Sequence, residues 1–273
     1  MKRPILLSAL MLVSSLVFSQ PASGQFPPLE GEGKTAVICH RGYWNCEAAG
    51  YSQNSIAALR EAQRLGFWGS ECDIHLTGDN RVIVNHDPKI NGKSIHDGKF
   101  EELAAELLPN GERRPSIEEY LQQAAKSTST RLIIEFKEMP SDERNDLLVD
   151  LTIAALKEYG LYDPQRVGFI SFSHHICKKI ASEHPRFINQ YLNGNISPEK
   201  LAAEGINGMD YNKSILSLKP QWIKDCARLG MSSNVWTVNS ADTMDKMIEN
   251  GIGAITTNEP ELLRSRLADK ELR

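Results

Sequence analysis

Strand-like and helix-like patterns alternate along this chain eight times, and that alternation restricts the fold more than any other feature. The strand-like runs are TAVICH (35–40), SECDIHL (70–76), RLIIEFK (131–137), VGFISFS (167–173), FINQYL (187–192), GMDYN (208–212), NVWTVN (234–239) and AITTN (254–258). Helical patterns such as NSIAALREAQRLG, SIEEYLQQAAK and DERNDLLVDLTIAALKEYG follow them, directly or after a loop. Strands separated by helical crossovers pair in parallel. Eight such units in a chain of 273 residues predict an α/β fold, the (β/α)8 TIM barrel.

One apolar run is left over, RVIVNHD (81–87), and only TGDN separates it from the second strand. So short a link cannot house a parallel crossover, so the run is expected to return antiparallel as a hairpin arm. That brings His86 back beside the upper end of the strand it folded from. Residues 87–115, punctuated by NGK, HDGK and PNGERRP, predict a small insertion over the barrel mouth. The barrel domain is expected over 33–273, without a second large domain.

Residues 1–24 have a basic start, a short apolar stretch and then small residues, the pattern of a secretory signal peptide. The apolar run is too soon followed by Pro21 and Gly24 to span a membrane stably. The expectation is an exported protein, periplasmic or secreted after cleavage. A net charge of −4 argues against nucleic acid as a partner, since a nucleic-acid binder normally carries a basic face. Oligomeric state is not legible. The five cysteines are odd in number and lack Cys-x-x-Cys spacing. Cys39 and Cys72 read as buried small side chains, with a bridge between them left open.

Active sites of this barrel class lie at the carboxyl ends of the strands. There the first strand ends in His40 and Arg41, with Gly42 free to turn the backbone away. In ECDIH, Glu71, Asp73 and His75 share one face while Cys72 and Ile74 take the other. Glu135 and Lys137 are likewise two apart on the next barrel strand. Three acids pointing into one space repel unless a cation sits among them, and hard oxygen ligands suit one divalent cation, Ca²⁺ or Mg²⁺. With Arg41 and Lys137 the mouth has positive charge to spare, which fits a phosphate. An unperturbed imidazole titrates near neutrality, so of His40 and His86 one can take a proton while the other gives one.

Taken in order, HRG (40–42), QNS (53–55), ExD (71–73), HD (86–87), EFK (135–137), VWTVN (235–239) and TTNEP (256–260) resemble the glycerophosphodiester phosphodiesterases. The resemblance runs from about Ala36 to Leu263. It implies metal-dependent hydrolysis of a small soluble glycerophosphodiester to glycerol 3-phosphate and an alcohol. It implies His40 and His86 as the acid/base pair, Glu71, Asp73 and Glu135 as metal ligands, and Arg41 and Lys137 as phosphate contacts. Trp236 is implied as an aromatic lining the pocket. Two positions depart from the pattern: Gln53 where Glu is usual, and Asn258 where Asp is common.

Other residues carry blander readings. His75 is expected to belong to the hairpin, His174 and His175 to point apart, and His96 and His184 to do nothing chemical. Trp44 and Tyr43 either floor the substrate site or pack their loop. Rival functions are a related barrel phosphodiesterase acting on phospholipid or on glycerophosphate-decorated glycan, a non-catalytic glycan- or metabolite-binding barrel, and a glycoside hydrolase using Glu71 and Glu135. The last leaves both histidines, Arg41 and Lys137 without work.

Overall fold

The computed structural model describes residues 35–271. The signal-peptide expectation for residues 1–24 therefore lies outside the described residues. Eight parallel strands close a barrel in the order β1 (Ala36–Cys39), β2 (Gly69–Leu76), β6 (Arg131–Phe136), β7 (Val167–Ser171), β8 (Ile188–Tyr191), β9 (Gly208–Asn212), β10 (Ser232–Trp236) and β11 (Ala254–Thr257). β11 returns to pair with β1, Cys39 lying opposite Thr257. The crossovers include α1 (Ile56–Arg64), α4 (Asp142–Glu158) and α5 (His174–Glu183). α1 starts where the Ser55 side chain accepts from the Ala58 amide, an N-cap that satisfies one free helical N–H.

The expected hairpin is present. β3 (Val82–Val84) pairs antiparallel with β2, Ile74 opposite Val84 and Leu76 opposite Val82. Between β3 and α3 (Ile117–Ala124) lie a two-stranded ribbon, β4 (Lys89–Ile90) and β5 (Lys93–Ser94), and the short helix α2 (Phe100–Ala104). This segment has its own small core of Ile83, Ile90, Ile95, Phe100 and Leu103. It is tied to the loop after β1 by Asn110, whose amide N–H donates to Ser52 Oγ and whose side chain donates to the Ala49 carbonyl.

Period-two alternation sorts the barrel strands. Cys72, Ile74 and Leu76 pack outward beneath the helices with Ile134, Phe136 and Phe169. Ile38, Ile133, Ile170 and Leu192 form a separate cluster, capped by Phe172 and Trp236. All five cysteines are free thiols. Cys39 faces Ser70 rather than Cys72 across the β1–β2 pair, which answers the open question of a bridge. Burial pushes both thiols well up, leaving them neutral packing groups. Among the described residues no helix is long and apolar enough to cross a membrane.

Candidate active site

The site is built first by register. Asp73 of β2 lies directly opposite Glu135 of β6, and Glu71 lies two residues back on the same face as Asp73. One oxygen from each of Glu71, Asp73 and Glu135 falls within 4.8 Å of the others, and all three residues are buried. Three carboxylates this close in a desolvated space raise one another's proton affinity. Burial and the charges of Asp73 and Glu135 push Glu71 well above the usual carboxyl range. Burial and the Asp73 charge push Glu135 up to about 7. Asp73 goes the other way: burial would raise it, but Lys137, His86 and the Asn54 hydrogen bond outweigh burial and hold it low.

The HRG segment clamps this cluster from above. Arg41 and Gly42 take left-handed backbone angles, φ 57° and 80°, so the chain doubles back at the end of β1. The turn aims the Arg41 amide N–H at Glu71 Oε2, 2.7 Å away, and the Gly42 N–H at the Glu71 carbonyl. Glycine is required here, because a Cβ on Gly42 would lie 2.6 Å from Ala58 Cβ. The Arg41 guanidinium donates to Gln53 Oε1 at 2.6 Å, and its Nε lies 3.5 Å from Asp73 Oδ2. Gln53 is thus a neutral partner, and Asp73 is the carboxylate that Arg41 pairs with. Lys137 reaches Asp73 Oδ1 at 2.7 Å and Glu135 Oε1 at 2.5 Å. Burial pulls its proton affinity down, and those two carboxylates more than restore it.

Both histidines present a defined tautomer. His40 Nδ1 lies 2.8 Å from Asn258 Oδ1, and the Trp44 indole N–H points at the same oxygen, 3.2 Å away. An indole nitrogen only donates, so this atom is the amide oxygen and His40 carries its proton on Nδ1. Its Nε2 is left with a lone pair. Burial, then the Arg41 charge, lowers the His40 pKa to about 4. His86 Nδ1 lies 2.8 Å from Asp87 Oδ1 and likewise carries a proton there. Its pKa is also lowered, by burial and then Lys137, with Asp73 opposing. His40 feels the charges of Asp73 and His86, and His86 that of Asp73.

Trp236 ends β10 on the far wall, its ring edge-on to Phe172 at 5.5 Å and its indole N–H donating to the Asp210 carbonyl. The structure thus gathers Glu71, Asp73, Glu135, Arg41, Lys137, His40 and His86 into one electrostatic cluster, with Trp236 at a barrel strand's end. His174 and His175 do point apart, to Glu204 and to Asp146 respectively. Trp44 donates to Asn258 and packs against Ala49, Ala57 and Ala58, and the Tyr43 hydroxyl donates to Glu261.

Several supporting residues were not singled out from sequence. Asn54, at φ 58°, donates to Asp73 Oδ2 and accepts from the Asp73 amide, a reciprocal pair that orients the carboxylate. Its place in the QNS segment was the available signal. Asp210 is buried in β9 with both carboxylate oxygens unpartnered, pushed well up by burial and by Glu135. Its alternation with Gly208 and Asn212 in GMDYN was the hint.

The donor set fits a hard divalent cation. Glu71 Oε1 is buried without a hydrogen-bond partner, and a lone pair left so is costly unless something positive takes it. An all-carboxylate set suits Ca²⁺ or Mg²⁺ chemistry.

Residues 40–262 match the profile of the glycerophosphoryl diester phosphodiesterase family. A glycerophosphodiester phosphodiesterase of Caldanaerobacter subterraneus subsp. tengcongensis is 26% identical over 248 residues, covering 84% of this chain and 96% of the relative. The crystal structure of a glycerophosphodiester phosphodiesterase from Parabacteroides distasonis is 41% identical. It superposes with a TM-score of 0.85 over 88% of this chain and 100% of that one. A phosphodiesterase from Oleispira antarctica, solved with its product sn-glycerol-3-phosphate, shares the fold at a TM-score of 0.72 and 20% identity, over 85% of this chain and 96% of its own.

Proposed function

From the premise that the chain belongs to the glycerophosphoryl diester phosphodiesterase family, and is therefore a phosphoric diester hydrolase, we propose that it cleaves soluble glycerophosphodiesters to glycerol 3-phosphate and an alcohol. Its proton carriers in this reading are His40 and His86. The observation that carries this reading is the buried Glu71–Asp73–Glu135 cluster with its orphaned Glu71 oxygen, ringed by two cations and two histidines. Glu71, Asp73 and Glu135 would hold the divalent cation, which when bound neutralises phosphate charge and fixes the ester's orientation.

The chain's own groups divide the remaining work. Arg41 and Lys137 bring fixed positive charge to the phosphoryl oxygens, where negative charge builds in the transition state. His40, with its Nδ1 proton committed to Asn258, offers Nε2 as the base that takes the proton of the attacking oxygen. His86, oriented by Asp87, gives its Nε2 proton to the departing alcohol oxygen as the P–O bond breaks. The assignment follows from surroundings: burial and the Arg41 charge keep His40 uncharged, whereas at His86 the Asp73 and Asp87 carboxylates oppose the lowering by burial and Lys137. Trp236 and Phe172 offer an apolar wall for the carbon skeleton of the substrate.

Export is also proposed, on the leader-like pattern of residues 1–24, and is checked by N-terminal sequencing of the mature protein. The activity is tested by assaying glycerophosphocholine and glycerophosphoethanolamine with the parent and with His40→Ala and His86→Ala. Each variant should fold and lose turnover at least a hundredfold, in the range expected for a general acid or base. Parent-like turnover by the double variant would end the proposal.

A further inference from the structure

We infer that His75 is a positioning residue for His86, fixing its backbone from inside the hairpin; this rests on the reading of His86 as a proton carrier.

His75 belongs to β2 and pairs with Ile83 of β3. It is 3% exposed, and its Nε2 lies 3.0 Å from the carbonyl oxygen of His86. A carbonyl only accepts, so the His75 proton sits on Nε2 and its Nδ1 keeps a lone pair. That Nδ1 is buried and has no hydrogen-bond partner. The imidazole therefore leaves one ring nitrogen desolvated and makes its hydrogen bond at the other. A leucine would fill much of the same space without an orphaned nitrogen. What leucine could not do is hold the His86 carbonyl.

His86 needs that hold. β3 ends at Val84, and the ladder continues only as far as the Asn85 amide, which donates to the Asp73 carbonyl at 3.0 Å. The His86 ring is tied to Asp87, its neighbour in the chain, whose side chain is 75% exposed. A bond to the adjacent residue travels with the loop and cannot fix the ring relative to the barrel. Among the described residues, His75 gives His86 its hydrogen bond to a barrel strand. The far side of His75 is backed by the His96 ring from the insertion, centroids 5.7 Å apart. The insertion thus braces the positioning residue.

The test compares His75→Leu, which removes the donor, with His75→Gln, whose amide nitrogen can reach the place of Nε2, and His75→Asn, whose shorter side chain cannot. Turnover of glycerophosphocholine is measured at saturating divalent cation, with melting temperature as the control for folding. Loss of positioning should lower kcat about 10- to 100-fold for the leucine variant, with KM changed less than about threefold. The glutamine variant should recover to within about fivefold of the parent, and the asparagine variant should track leucine even if leucine folds poorly. In a His86→Ala background, His75→Leu should change the residual rate less than about twofold, because the residue acts through His86. Equal losses in leucine and glutamine variants, or the same loss with His86 already removed, would overturn the inference. If His86→Ala alone keeps parent turnover, the reading of His86 fails instead.

Discussion

Replacing Asn258 with aspartate tests the division of labour between the two histidines. The substitution changes one side-chain group and leaves the shape of the residue, and it puts a carboxylate 2.8 Å from His40 Nδ1 in place of a neutral amide oxygen. The Trp44 N–H can still donate to it. Two unit charges about 4 Å apart interact by about 4 kcal/mol at an effective dielectric constant of about 20, roughly three pKa units as a ceiling. His40 is only part-buried, so the lower part of the usual range of about one to three units applies. A pKa of about 4 then rises to about 5–6. The sign follows: a raised pKa means the base is lost to protonation at higher pH. With the variant at about 6, roughly nine-tenths of His40 is neutral at pH 5 in the parent but only about one-tenth in the variant, a tenfold difference. The assay is the pH profile of kcat/KM for glycerophosphocholine at saturating divalent cation. The acid limb should move up by about one to two units while the rates at pH 8 stay within about threefold. An acid limb that does not move would refute the assignment of His40 as the base.

Two further outcomes follow from the same geometry. Gly42→Ala forces a side chain onto φ 80° and to within 2.6 Å of Ala58 Cβ, so it should cost at least about 1–3 kcal/mol, read as a lower denaturation midpoint in urea. An unchanged midpoint would contradict the close approach. In the metal-free protein, Glu135, pushed up to about 7, binds its proton more tightly folded than unfolded. Its stabilisation is complete below the ordinary carboxyl range and is lost as pH rises through about 7, and Glu71 acts in the same direction. His40 and His86, whose proton affinity is lowered, act in the opposite direction over the same window, so the test is a difference. Without metal, raising the pH from about 5 to about 8 should lower the melting temperature of the parent more than that of Glu135→Gln, and an equal change in both by differential scanning fluorimetry would contradict this.

The elements that were legible in the sequence are those governed by short-range periodicity. The alternation of ECDIH separates Glu71 and Asp73 from Cys72 and Ile74 without any knowledge of tertiary contacts. The four-residue link before RVIVNHD permitted only an antiparallel return, and the β2–β3 register bears that out. The contacts that sequence reading could not supply act across the barrel closure, through unusual backbone or through main-chain groups. Asn258 meets His40 only because β11 pairs with β1, 218 residues away along the chain. Asn54 reaches Asp73 because its own backbone sits at φ 58°, which no periodic pattern encodes. His75 shares the parity of the acids, but its partner is a main-chain carbonyl, and main-chain partners leave no trace in side-chain patterns.

The central claim, that Glu71, Asp73 and Glu135 cage a catalytically required hard cation, meets its most direct test in a metal titration of turnover. Protein stripped with chelator should be inactive on glycerophosphocholine and regain full activity on titration with Ca²⁺ or Mg²⁺, while Glu71→Gln should need far more cation or never recover. Parent turnover undiminished in excess chelator, or the same cation response in the parent and in Glu71→Gln, would contradict the account.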